Sequence, residues 1–68
     1  MRKNEEAIGA YLKAIEKNPN YADAYLNLSL IYFHKKDYAL AIKYCDKAAE
    51  LGCKVPAEYL NLLKSFRK

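Results

Sequence analysis

The chain has 68 residues, enough for one small domain, and 53% of them are apolar, too many for a disordered tail. Twelve basic and eight acidic residues give a formal net charge of +4, and the whole excess lies in residues 35–68. The longest apolar run, Tyr38 to Ile42, is far shorter than the roughly 18 residues that a membrane-spanning helix requires.

Four segments carry apolar residues at the three- and four-residue spacing that is typical of helices. The predicted helices cover residues 4–17, 22–35, 38–51 and 56–67. Pro19 ends the first helix because it cannot continue the hydrogen-bond ladder, and Asp37 can cap the third. Gly52 suits the left-handed position after the third helix, and Pro56 suits the first turn of the fourth. The sequence therefore predicts an all-α fold.

The chain repeats itself after 34 residues. When residues 1–34 are aligned with residues 35–68, nine of the 34 pairs are identical, whereas ordinary composition gives roughly two by chance. Four identical pairs are consecutive, because Tyr25-Leu26-Asn27-Leu28 recurs at residues 59–62. A period of this length is typical of stacked helical repeats, in which each helix pair is buried by its neighbours.

The residues within one period are similar to the tetratricopeptide repeat family. The matching pattern is Tyr25-x2-Leu28-Ser29-x2-Tyr32, followed by Ala41-x3-Cys45-x2-Ala48. The resemblance implies four antiparallel helices that form part of a right-handed α-solenoid. It divides the chain into the second helix of a truncated repeat (1–20), a complete repeat (21–54) and a C-terminal capping helix (55–68). Small residues at Ser29, Ala41 and Ala48 would let two helices approach closely.

Both ends of this arrangement depart from the family pattern. Leu63 stands where the family has a small residue, so we expect it to leave no room for a further helix of the same kind. The first helix presents an apolar face that has no predicted partner, formed by Ile8, Tyr11, Leu12 and Ile15. We therefore expect the chain to be the C-terminal part of a larger array, or to form a homodimer through exposed apolar helix faces.

The resemblance also implies a protein-interaction module that binds a peptide or a partner protein on its concave face. The predicted partner-binding residues are Leu26, Asn27, Leu30, Phe33 and His34 on the second helix, and Asn61, Lys64 and Arg67 on the fourth. The second helix is apolar on two faces, so a peptide, a second copy or upstream repeats must cover its three large apolar side chains. The basic residues of the fourth helix favour an acidic ligand.

Other function classes have little support in the sequence. His34 is the single histidine, and neither a glycine-rich phosphate loop nor a metal-ligand spacing is present, so we predict no catalytic residue, no metal site and no cofactor. Cys45 and Cys53 are predicted to lie about 12 Å apart along a helix, too far for a disulfide, and unpaired thiols fit the reducing cytoplasm. A self-associating architectural repeat is an alternative function, and a nucleic-acid-binding repeat is a less favoured one because base reading requires longer arrays.

Overall fold

The computed structural model describes residues 2–66 of the chain and the side chains of residues 3–66. It contains four helices in the order α1 (Arg2–Lys17), α2 (Ala22–His34), α3 (Tyr38–Glu50) and α4 (Ala57–Lys64). No β-strand occurs between residues 2 and 66, which confirms the predicted all-α fold. The helix boundaries agree with the prediction to within two residues except at the end of α4. That helix stops at Lys64, three residues before the predicted end.

Two of the predicted capping residues adopt the expected geometry. The Asp37 carboxylate accepts a hydrogen bond from the Leu40 backbone N–H at 3.4 Å, which satisfies one of the free donors at the start of α3. Gly52 follows α3 with a φ of 95°, in the left-handed region that glycine enters at low cost. Pro56 lies one position earlier than expected, at the N-cap of α4 instead of in its first turn.

The ends of α2 and α3 have the same geometry although their residues differ. After α3, the N–H groups of Gly52 and Cys53 donate to the carbonyls of Ala49 and Ala48 at 3.0 and 2.9 Å. After α2, the equivalent hydrogen bonds place Lys36 in the left-handed region, with a φ of 66°. Both helices thus end in a Schellman motif, but α2 uses a residue with a Cβ, which costs about 1–2 kcal/mol.

The core lies chiefly between α2 and α3, which form the closest helix pair and are connected by residues 35–37 alone. The small side chains of Ser29, Ala41 and Ala48 are completely buried, as the sequence predicts for a close helix crossing. Tyr44 of α3 stacks on two rings of α2, with centroids 5.6 Å from Tyr32 and 6.2 Å from Tyr25. The α1 helix packs on α2, and α4 packs on α3.

Candidate functional site

The residues predicted to bind a partner lie on the side of α2 that faces away from its buried stripe. Ala24, Tyr25, Leu28 and Ser29 are buried, whereas the predicted residues 26, 27, 30, 33 and 34 are half-buried or exposed. We call the predicted set on α2, together with Leu60, Asn61 and Lys64 of α4, the candidate face. Leu30 is 37% exposed and His34 is also exposed, while Asn27 is half-buried.

Two predicted residues of α2 lie against the core cluster that α3 and α4 form together. Leu26 and Phe33 are half-buried and pack against the cluster that contains Tyr59 and Leu63. The Phe33 ring lies 5.6 Å from the ring of Tyr59, in an edge-to-face arrangement. Residues of the same chain therefore cover part of the apolar surface that the sequence analysis assigned to a partner.

The α4 helix adds exposed side chains to the candidate face. Asn61 and Lys64 are exposed as predicted, and Leu60 beside them is 39% exposed. Arg67, the remaining predicted binding residue, lies outside the described residues. The 34-residue repeat places Leu60 and Asn61 at the positions that Leu26 and Asn27 take on α2. Each of the two helices thus carries the same leucine-asparagine pair.

An aromatic cluster that the sequence analysis did not predict borders the candidate face. The Phe66 ring stacks on Tyr38 with centroids 3.7 Å apart, and both rings lie edge-on to Phe33 at 6.2 and 5.4 Å. The cluster joins the end of α2, the start of α3 and the segment after α4. The only signal in the sequence was the apolar character of the three residues, because their contacts depend on how α4 docks.

A buried hydrogen-bond chain fixes the position of α4 relative to the α2–α3 pair. The Ser29 hydroxyl donates to the Ala41 carbonyl oxygen at 2.6 Å, and the Tyr59 hydroxyl lies 2.6 Å from Ser29 Oγ. Since the single hydroxyl hydrogen of Ser29 is used in the first bond, Tyr59 is the donor in the second. The chain therefore links one residue from each of α4, α2 and α3.

The environment of Tyr59 keeps its phenol in the protonated form that this chain of hydrogen bonds needs. Burial raises the pKa of Tyr59 above its usual value near 10, and the nearby Cys45 acts in the same direction. At neutral pH the Tyr59 hydroxyl is therefore a donor.

The fourth helix buries fewer of the equivalent positions than α2, although the two share four consecutive residues. Leu28 of α2 is completely buried, but its equivalent on α4, Leu62, is 54% exposed. Leu63 stands at the position of Ser29 and is completely buried against Ala41 and Cys45. The Leu63 side chain thus lies in the core of this chain, and the expectation that it leaves no room for a further helix stays a prediction.

Other kinds of site are not formed by the part of the chain that the structure describes. Within residues 3–66 there is no enclosed pocket and no group of His, Cys, Asp or Glu side chains that could hold a metal ion. None of the four helices is long and apolar enough to cross a membrane. Cys45 and Cys53 are not joined in a disulfide.

Comparison with known proteins places the repeat in a family. The sequence profile of the tetratricopeptide repeat matches residues 1–53, which is most of the chain. The chain belongs to the tetratricopeptide repeat family. This membership agrees with the 34-residue period and with the close crossing of α2 and α3 at Ser29 and Ala41. Tetratricopeptide repeats are protein-interaction modules, and this chain is such a module.

Two much longer proteins contain regions similar to this tetratricopeptide repeat. Stress-induced-phosphoprotein 1 of Caenorhabditis elegans is 34% identical over 64 residues, an alignment that covers 94% of this chain and 20% of that protein. Superkiller protein 3 of Schizosaccharomyces pombe is 36% identical over 62 residues, which cover 91% of this chain and 4% of that protein. The chain thus spans a small part of either relative. No solved structure shows a significant match.

Proposed function

We propose that the chain binds a peptide, or a short segment of a partner protein, across α2 and α4 on the candidate face. The observation that carries the proposal is the exposure of Leu30 and Leu60, at 37% and 39%, on the two helices that share the leucine-asparagine pair. An amide beside an apolar contact offers both a donor and an acceptor to a peptide backbone or a carboxylate. Asn27 and Asn61 would supply those hydrogen bonds.

The charges along the candidate face favour a ligand with an acidic end. His34, Lys35 and Lys36 are exposed at the end of α2, and Lys64 is exposed at the end of α4. The starts of the same helices carry acidic residues, Asp23 and Glu58. An acidic segment would therefore lie over the C-terminal ends of α2 and α4. Such charges mainly raise the association rate and set the orientation of a ligand.

The affinity of this site should be low. Two helices offer a short face, and Leu26 and Phe33 are already half-buried within the chain. The area buried by a ligand must offset the entropy lost on association, which changes little with the size of the site. We therefore expect dissociation constants in the micromolar range or weaker.

Replacing Asn27 with alanine should weaken peptide binding, because the variant loses hydrogen bonds to the ligand backbone. The probe is a peptide selected from a random display library on the wild-type chain and then measured by calorimetry. We expect a dissociation constant about 3- to 10-fold higher for Asn27→Ala. Lys43→Ala is the control, since Lys43 is exposed on α3. A peptide whose affinity falls with Lys43→Ala and not with Asn27→Ala would place the site elsewhere.

We also propose that the module acts through binding alone, without a catalytic role, and that it works in a reducing compartment such as the cytoplasm.

We further propose that the chain divides into residues 1–20, 21–54 and 55–68, and that it is the C-terminal part of a longer array. Leu12 supports the array, because it is 42% exposed on α1, beside the half-buried Ile8 and Ile15. A further helix packed on α1 would cover this leucine.

Self-association is the second candidate function, and the same α1 surface favours it. A second copy would bury Leu12 by pairing equivalent faces or by exchanging helices. Sedimentation velocity over a range of concentrations should then show a dimer fraction that grows with concentration, and Leu12→Lys should abolish it. A wild-type chain that stays monomeric at high micromolar concentration would contradict this candidate and leave the array as the remaining explanation.

A further inference from the structure

The α4 helix is less firmly built into the molecule than α2 and α3. It has eight residues, and isolated helices shorter than about 12 to 15 residues are marginal in water, so α4 depends on its docking contacts. Only Tyr59 and Leu63 are buried on α4, whereas four residues are buried on α2. Residues 53–56, which precede α4, have no regular structure and can change direction without breaking a helix.

The docking of α4 on α2 depends on long side chains, whereas its backbone comes closer to α3. No Cα atom of α4 lies within 8 Å of a Cα atom of α2. The connection to α2 runs through the hydrogen bond from Tyr59 to Ser29 and through the ring contact of Tyr59 with Phe33. Tyr59 and Leu63 also pack against α3, so release of α4 must break those contacts together with the ones to α2. It would leave the α2–α3 pair intact.

The surface beneath α4 belongs to α2 and α3 and includes a thiol. Cys45 and Ala41 of α3 are completely buried in the cluster that Tyr59 and Leu63 complete. The half-buried Leu26 and Phe33 of α2 lie beside them. Undocking of α4 removes Tyr59 and Leu63 from this cluster, so Cys45 would become accessible while α2 and α3 remain folded.

We propose that α4 docks and undocks as a unit on the α2–α3 pair, and that it is the movable side of the candidate face. Small cooperative openings of this kind occur in native proteins at a lower free energy than global unfolding. If the proposed function holds, a ligand that contacts both α2 and α4 binds only the docked state. Its apparent affinity then scales with the docked fraction, and the ligand stabilises α4 in return.

The test measures the reactivity of the Cys45 thiol with DTNB in the full chain, without any ligand. Cys53→Ser provides the background in which Cys45 is the single thiol. Tyr59→Phe removes the donor to Ser29, and we expect it to raise the labelling rate of Cys45 about 3- to 10-fold. Tyr25→Phe is the matched control, because Tyr25 is the equivalent residue of α2 and donates to the Pro19 carbonyl at 3.2 Å, away from α4. That variant should change the labelling rate by less than about 2-fold.

Labelling as a function of urea separates local opening from global unfolding. Opening of α4 alone exposes little surface, so the rate should depend weakly on urea well below the unfolding midpoint. Amide hydrogen exchange in α4 should report the same opening, with greater protection in α2 and α3.

Two results would overturn the proposal. In one, Cys45 labelling follows global unfolding and responds equally to both tyrosine variants; in the other, Cys45 reacts as fast as in the denatured chain. Neither result depends on peptide binding, so the proposed function is tested separately.

Discussion

Replacing Leu28 with alanine is expected to lower the free energy of unfolding by about 2–5 kcal/mol. Leu28 is completely buried on α2, so the shorter side chain would lose its apolar contacts and leave a cavity behind. A domain of 68 residues supplies only about 3–5 kcal/mol from a single core. We therefore expect Leu28→Ala to be largely unfolded in buffer, as measured by far-ultraviolet circular dichroism and urea titration.

Leu62→Ala is the control for this prediction, because the repeat places Leu62 at the same position of α4. Its side chain is 54% exposed, so removing it should change the free energy of unfolding by at most about 0.5 kcal/mol. The same substitution in the same four-residue block thus tests how α4 is docked. Equal losses at the two positions would mean that α4 packs as α2 does, with Leu62 turned into the core.

The repeat and the helix pair could be predicted from the sequence because they depend on local patterns. The 34-residue period identified equivalent positions, and the resemblance to the family's pattern of small residues implied the crossing at Ser29 and Ala41. Asp37 and Gly52 marked the two ends of α3 through preferences that act over a few residues. Caps and repeat patterns of this kind are recognised from the residue types themselves, without knowledge of tertiary contacts.

Two features depend on tertiary packing and were not predictable in this way. Lys36 adopts a left-handed backbone conformation that its residue type does not favour, because the short connection between α2 and α3 requires it. The exposure of Leu62 is the second feature. The block Tyr-Leu-Asn-Leu buries Leu28 on α2 but exposes Leu62 on α4, because α2 is packed between α1 and α3 whereas the backbone of α4 lies close to α3 alone.

The exposure of the candidate face, though not its role in binding, could be inferred in part from the sequence. Leu30, His34, Asn61 and Lys64 are exposed, as expected of residues opposite the core stripe of an amphipathic helix. The sequence could not show that Leu26 and Phe33 would be half-buried, because the ring contacts of Phe33 come from residues 38, 59 and 66, which lie outside α2. Helical periodicity gives the direction of a side chain, whereas its coverage depends on the neighbouring helices.

Replacing Ala41 with leucine is expected to destabilise the chain by about 1–3 kcal/mol, the second of the two largest effects. Ala41 is completely buried at the crossing of α2 and α3, where its carbonyl oxygen lies 2.6 Å from the Ser29 hydroxyl. Three added carbon atoms must displace either α2 or the α4 side chains that pack on the same residue. Urea denaturation should therefore show a lower midpoint for Ala41→Leu.

Ala39→Leu is the control, since Ala39 is exposed on the same helix. This substitution should change the free energy of unfolding by at most about 0.5 kcal/mol. If both variants unfolded at the wild-type midpoint, the space at Ala41 would not limit the approach of the helices, and the small residues of the repeat would need another explanation.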